Sequence, residues 1–515
     1  MNKRTLLTTI AFGVAVSLPA FSAPLARAGD TLPRYLLFDI GSFGGKFSTF
    51  CYPNCRQLNN RGEAVGIDAT SFPDPFNPCF YDCNVDYAFK WRYGGTNDLG
   101  SLQYLAGSWA QGINDSRISA GLSLNGKYDK KTQFWQARGV VWKNGKVINI
   151  GTLGGTQSNA WMINNAGQVV ADALTDDSRD PYINVSQANC RWLPTNGGGC
   201  ASSDFGINTL YFPVATAIHG AIWTQAGKLG DIGTLGGPDS SAFDINDAGQ
   251  IVGWSYTSYS AGPSGVPDTH PFVWQNGTMI DLGSPLGGTF AAATLINKNG
   301  QIAGVANTTG DAAVHSVVWE SDHTPRDCGT LGSDYGHPDW MNDQGDIVGF
   351  SRTVGGLGRG FVCWHTNHEI VDLGTIGDDP ESEATGINNA GMIVGITFQR
   401  GVADLKGWVS NQGGPITDLD TLIRSRHGIH VVAANTINDS GVIAAQGELK
   451  NGEHHAIILV PDTNFALIAK ITATMAGLKN ESVSASSVTQ PGASHGARPG
   501  CASPVRLRPH FCNPG

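Results

Sequence analysis

Between Ser240 and Gly283 the apolar positions fall into four short runs, each too short for a helix and each bounded by turn residues. Ser240–Ile245 alternates apolar and polar side chains and predicts a strand. Asn246-Asp247-Ala248-Gly249 follows. An asparagine at the first turn position can bond its own backbone, and a glycine at the fourth accepts a left-handed conformation. Together they predict a type I turn with a glycine bulge joining antiparallel strands. Gln250–Ser255 is the return strand and His270–Trp274 a third. Gln275-Asn276-Gly277 is a tight turn, and Met279–Gly283 is a fourth strand. A Gly-rich link of the kind Gly233-Thr234-Leu235-Gly236-Gly237 precedes each new copy.

The pattern runs the length of the chain. Its asparagines are Asn59, Asn114, Asn164, Asn246, Asn297, Asn342, Asn388 and Asn438, with Arg117 standing where the second copy should have glycine. Third strands end at Trp91, Trp142, Trp223, Trp274, Trp319, Trp364, Ser410 and Leu459. Four short strands in about 45–50 residues, repeated, is the signature of a propeller blade. A lone blade cannot bury both faces, whereas a ring of blades does so and leaves few open edges. The expected fold is therefore all-β: a β-propeller of eight four-stranded blades, with seven blades or two smaller arrays as alternatives. The chain opens on a fourth strand and closes on a third. Tyr35–Gly41 is thus expected to complete the last blade beside His455–Val460.

The termini do not share the pattern. Lys3 and Arg4 precede an apolar run over Leu6–Phe21, and Ala26-Arg27-Ala28 is a small-x-small cleavage site, so residues 1–28 read as a secretory signal. Residues 29–461 form the repeat array. Residues 462–515 hold a short helix near Ala466–Leu478, then a Ser/Pro/Gly/Arg-rich tail read as largely disordered. The expected location is secreted or periplasmic. No later stretch is long enough for a membrane span. The net charge of -10 argues against a nucleic-acid partner, because phosphate neutralisation needs a basic face. Export favours disulfides among the ten cysteines. Cys51, Cys55, Cys79 and Cys83 are disulfide candidates on the first link and the loop after it, with a zinc site as the alternative. Cys190 and Cys200 are candidates in the long insertion. Cys328 and Cys363 read equally as a pair or as buried thiols.

The strings Leu-Gly-Thr-Leu-Gly-Gly, Ser-x-Ala-x-x-Ile-Asn-x-x-Gly-Gln-Ile-Val-Gly and His-x-Phe-Val-Trp resemble the bacterial extracellular HAF repeat. They stand at Leu229–Trp274 and Met279–Trp319, and more loosely in every other copy up to about Pro461. The resemblance implies export and a propeller-like array, and no established activity. The phase of the blades also resembles WD repeats, in topology only.

Chemistry is thin. No nucleophile–base motif is present, so no catalytic residue is assigned. Insertions fall on the fourth-to-first and second-to-third connections, which share one face: Ile67–Tyr87, Ser123–Ala137 and Asp172–Ile218. Function on a rigid scaffold sits in such loops. Two links replace small residues with ionisable ones, Asp334, His337 and Asp339 in one and Asp378, Asp379, Glu381 and Glu383 in the next. These seven are the ligand-binding candidates, set against the plainer reading of a solvated acidic rim. No metal site is expected. Calcium is the one cofactor entertained, and Asp172, Asp176, Asp177 and Asp180 lack the ordered spacing of a calcium loop. His219, His270, His315 and His455 recur at the start of the third strand, and are read as tying blade strands together by hydrogen bonds. Trp109, Trp161 and Trp340 are read as packing between blades rather than stacking on sugars. The expected function is a binding scaffold for an extracellular or envelope protein or polysaccharide. A polysaccharide hydrolase or lyase, and a structural surface component, are the alternatives.

Overall fold

The computed structural model describes residues 32–51, 55–76, 84–130, 134–177, 216–262, 264–400 and 404–481. Its strands pair into four-stranded antiparallel units, and the fold is a β-propeller. Blade 1 is Gly44–Thr49, Ala64–Pro73, Asn84–Arg92 and Gly95–Asp98. Blade 2 is Ser108–Ile113, Ser119–Asp129, Phe134–Lys143 and Lys146–Asn149. Blade 3 is Gly154–Ile163, Val169–Thr175, Ile218–Trp223 and Leu229–Asp231. Blade 4 is Ser240–Ile245, Ile251–Tyr256, Thr269–Gln275 and Thr278–Asp281. Blade 5 is Gly287–Ile296, Ile302–Thr308, Val314–Trp319 and Pro325–Gly329. Blade 6 is Gly332–Met341, Ile347–Thr353, Gly358–Cys363 and Ile370–Asp372. Blade 7 is Glu381–Ile387, Met392–Phe398, Lys406–Asn411 and Thr417–Asp418. Blade 8 takes His430–Ile437, Ile443–Glu448 and His454–Pro461 from the C-terminal side and Tyr35–Asp39 from the N-terminal side. That last pairing is antiparallel, from Tyr35 opposite Pro461 to Asp39 opposite Ile457.

Three contacts repeated from blade to blade hold these units together. The first is a circuit of asparagines. Asn59 Nδ2 donates to Asn114 O, Asn114 to Asn164 O, Asn164 to Asn246 O and Asn246 to Asn297 O. Asn297 then donates to Asn342 O, Asn342 to Asn388 O, Asn388 to Asn438 O, and Asn438 back to Asn59 O. All eight side chains are at most 5% exposed, so each donor would be costly to leave unmet. The Oδ1 atom works locally: in blade 4 it accepts from the N–H groups of Ala248 and Gln250, which closes the hairpin turn. One residue thus makes both the turn and the joint, which explains its recurrence. The turn's fourth position needs a left-handed backbone, as at Gly249 with φ 77°. Arg117 holds that conformation with φ 67°, and its guanidinium is anchored on the buried Glu63 at 2.9 Å.

The second contact is a serine latch. Ser240 Oγ donates to Gly233 O and accepts from Gly220 N–H of the preceding blade. Ser108, Ser158 and Ser382 repeat it, and Ser48 makes the same pair of bonds to Gly41 O and Ala456 N–H, between blades 1 and 8. The third contact ties third to fourth strands. His219, His270 and His315 place Nδ1 2.8–2.9 Å from Asp231, Asp281 and Asp327, as the hydrogen-bond reading of these histidines requires. His455 does the same with Asp39, across the two ends of the chain, at 2.8 Å.

Apolar residues between neighbouring blades form the core, for instance Val252, Val273, Ala291, Ile296 and Trp319 at the joint of blades 4 and 5. Cys328 and Cys363 pair across blades 5 and 6. Cys51 pairs with Cys55. Cys79, Cys83, Cys190 and Cys200 lie outside the described residues, as does the proposed signal. The ordered body continues beyond Pro461: the helix Phe465–Glu481 buries Leu467 and Ile471 against Ile40, Phe50 and Trp91. The start of the segment expected to be largely disordered is therefore anchored. Among the described residues no helix is long and apolar enough to cross a membrane.

Candidate functional site at the propeller axis

The first strand of each blade lines the axis. In blade 1 that strand departs from the pattern. Eleven residues separate Ser48 from Asn59, where six separate Ser240 from Asn246. The extra five carry Cys51 and Cys55, so this disulfide lies between the strand Gly44–Thr49 and the Asn59 turn, and not in the link before blade 1, as the sequence suggested. Beyond it comes Arg56, whose carbonyl accepts from Ile113 N–H of blade 2. The Arg56 side chain leaves its own blade altogether. Its guanidinium reaches Asp244 Oδ2 at 2.9 Å in blade 4 and Ile296 O at 3.1 Å in blade 5, the blade diametrically opposite. Burial pushes the Asp244 carboxyl up, against the pull of Arg56 and of the N–H groups of Ile296 and Ile245. Periodicity did not single out Arg56, and the long Ser48–Asn59 spacing is the one trace of it in the sequence.

The seven candidate ligands separate into two groups. Asp379 Oδ2 accepts from Thr397 Oγ1 at 2.8 Å and pairs with Lys406 at 2.9 Å. Glu381 is held by Arg400 at 2.8 Å and by Gly358 N–H. Asp334 accepts from Ser333 Oγ and has Arg352 at 3.9 Å, while Asp378 is exposed. Three of these carboxylates have partners of their own, and Asp378 is exposed. His337, Asp339 and Glu383 do converge: one ligand atom from each lies within 4.8 Å of the others. They belong to the first strands of blades 6 and 7, not to the links. His337 and Asp339 are buried, and Glu383 is half-buried.

Asp172 does not belong to the long insertion's loop. It sits in the second strand of blade 3, buried, and accepts from Ser241 Oγ, Ala242 N–H and Trp161 Nε1. Burial pushes its carboxyl up to about 6 in spite of these donors. A ligand loop cannot include a side chain turned into a blade joint. Asp180 lies outside the described residues. Trp109 is buried, in keeping with a packing role.

The insertion face carries another feature. The second-to-third hairpins of blades 1 and 2 run on past their neighbours, to Pro73 and Asp129. There Trp135 meets Phe76 and Tyr128 edge to face, at 5.1 and 5.4 Å between ring centroids. Phe72, Tyr104 and Tyr128 are each more than half exposed. The link bearing Tyr104 lies beside this hairpin, with Gln103 packed over Gly126.

No family model matches the chain, and no curated protein matches it. Solved structures with a similar fold include the β-propeller domain of the Trilobed protease from Pyrococcus furiosus, at 9% identity over 66% of this chain and 89% of that one, TM-score 0.36. A puromycin-hydrolyzing peptidase of Mycobacterium tuberculosis aligns at 12% identity over 76% of this chain and 56% of its own, TM-score 0.41. The Aleuria aurantia lectin aligns at 13% identity over 59% of this chain and 91% of its own, TM-score 0.28. At such identities the likeness is one of fold.

Proposed function

We propose that this protein is an exported scaffold of HAF-type repeats that binds an extracellular or envelope partner on its insertion face. The observation that carries the reading is the exposure of Phe72, Tyr104 and Tyr128 on the long hairpins of blades 1 and 2 and the link between those blades. Large rings held out to solvent offer flat apolar area at little entropic cost, and exposed apolar area of this kind suits an interaction surface. The opposite face gives support by contrast. Its turns are short, and their polar groups are largely used in blade-to-blade bonds, such as Asp115 N–H to Asn165 Oδ1 and Asn389 N–H to Asp439 Oδ1. A polysaccharide suits such rings well, since a sugar ring presents a flat C–H face for an aromatic to cover.

The test is affinity electrophoresis of the wild type and of the triple variant Phe72→Ala/Tyr104→Ala/Tyr128→Ala through gels containing envelope polysaccharide from the native host. Retardation of the wild type alone supports the reading. Equal migration of both proteins with and without polysaccharide rejects a sugar partner. Equal retardation of both places binding elsewhere than on these rings.

A further inference from the structure

We propose that His337, Asp339 and Glu383 bind a divalent first-row transition-metal ion, zinc or manganese, at the inner wall between blades 6 and 7. The argument starts from Asp339. Its side chain is wholly buried, and neither carboxylate oxygen receives a hydrogen bond. A buried carboxylate is ordinarily paired and hydrogen-bonded, or bound to a metal. Its nearest cationic candidate, His337 Nε2, stands 3.4 Å from Oδ1. That is long for a hydrogen bond. It is the separation of two ligands sharing one ion, because bonds of about 2.0–2.2 Å at a tetrahedral angle set their ends roughly 3.4 Å apart.

The remaining geometry is pre-set. The His337 ring stacks on Phe350 at 5.6 Å and meets the edge of Tyr335 at 5.5 Å, so packing fixes the direction of its nitrogens. Glu383 supplies a carboxylate from the next blade, and its partial exposure gives an ion a way in and room for a further ligand. Two carboxylates and a neutral imidazole carry two negative charges, which a divalent cation cancels. The imidazole selects the metal class: calcium and magnesium take oxygen ligands, whereas zinc and its first-row neighbours accept nitrogen. Counting back from the asparagine circuit, blades 2, 3, 4, 5 and 8 carry Trp109, Asn159, Ser241, Ala292 and Ala433 where blades 6 and 7 carry His337 and Glu383. The set is thus a local departure from the repeat.

The experiment uses untagged full-length protein. After equilibration with buffered zinc or manganese and gel filtration, the wild type should retain close to one equivalent per chain by mass spectrometry. Its melting temperature should rise with the metal and fall back with EDTA. Asp339→Asn and His337→Gln should each bind at least tenfold more weakly and lose the thermal shift. Metal-free Asp339→Asn should melt above the metal-free wild type, because an uncompensated buried charge has gone. If either inner variant fails to fold, Glu383→Gln, on a half-buried side chain, reports on the same site. A wild type that retains neither metal, or variants that bind as tightly as the wild type, would overturn the proposal. Retention of calcium alone would overturn the assigned metal class.

Discussion

Arg56 and Asp244 form an ion pair that spans the axis of the propeller, 188 residues apart in sequence and 2.9 Å apart in space. Asp244 is almost fully buried and Arg56 about one-third exposed. Removing the cation strands the anion, and breaking one side of a buried pair costs far more than the pair is worth. Arg56→Met should destabilise the fold by about 3 kcal/mol, the low end for such pairs because Asp244 keeps two backbone donors. Adding Asp244→Asn should recover part of that loss. Chemical denaturation of the three proteins checks both statements, and a double variant no more stable than Arg56→Met contradicts the second.

The asparagine circuit predicts equal costs around the ring. Asn246→Ala removes the donor to Asn297 O and the acceptor of its own turn, and should cost about 2–4 kcal/mol on the usual worth of buried hydrogen bonds. Asn438→Ala strikes the joint between the last and first repeats. If the ring is sealed in solution it should cost the same within about 1 kcal/mol, since the bonds lost are of the same kind. A near-neutral Asn438→Ala beside a costly Asn246→Ala would show that this joint opens readily.

The pairing of the two chain ends in blade 8, and blade 1 beside it, should weaken as pH rises. Burial pushes His455 down, but the Asp39 carboxylate outweighs it and holds the imidazole above its usual range. Burial pushes Asp39 up, but His455 and Gly41 N–H outweigh it and hold the carboxyl low. Burial raises Asp68 to about 7, with Phe43 N–H as its opposing donor. The His455 contribution is complete below about pH 6.5 and is lost as pH climbs through its raised folded value. Asp68 binds its proton more tightly folded than unfolded, so it too loses stability between about pH 4 and pH 7. The Asp39 contribution is present above about pH 4 and lost below it. Melting temperature should therefore be higher at pH 5 than at pH 8. Asp68→Asn should flatten that difference, and a melting temperature rising from pH 5 to pH 8 would contradict the assignment.

How much of this could be read in the chain follows from the range of each interaction. The hairpins were legible because Asn246 and Gly249 act within four residues. The role of the histidines was legible too. Their partners Asp231, Asp281 and Asp327 were not named, since they lie 11–12 residues away across a turn whose register must be known. His337, Asp339 and Glu383 stood out as ionisable residues where the repeat has small ones. Their separation from Asp379 and Glu381 was hidden, because it depends on Lys406 arriving from another strand and Arg400 from the turn before it. The Arg56–Asp244 pair leaves no mark beyond the long Ser48–Asn59 spacing, since it joins parts of the ring that are not neighbours.

The circuit of asparagines is indifferent to the number of its members. Every one gives to the next and receives from the last, so seven or nine copies would satisfy each donor just as well. Local bonding therefore cannot count. A contact along a diameter can: one more wedge in the disc would carry Asp244 beyond the reach of a side chain of fixed length. Arg56 is in that sense a gauge of girth, the element through which the assembly registers its own size.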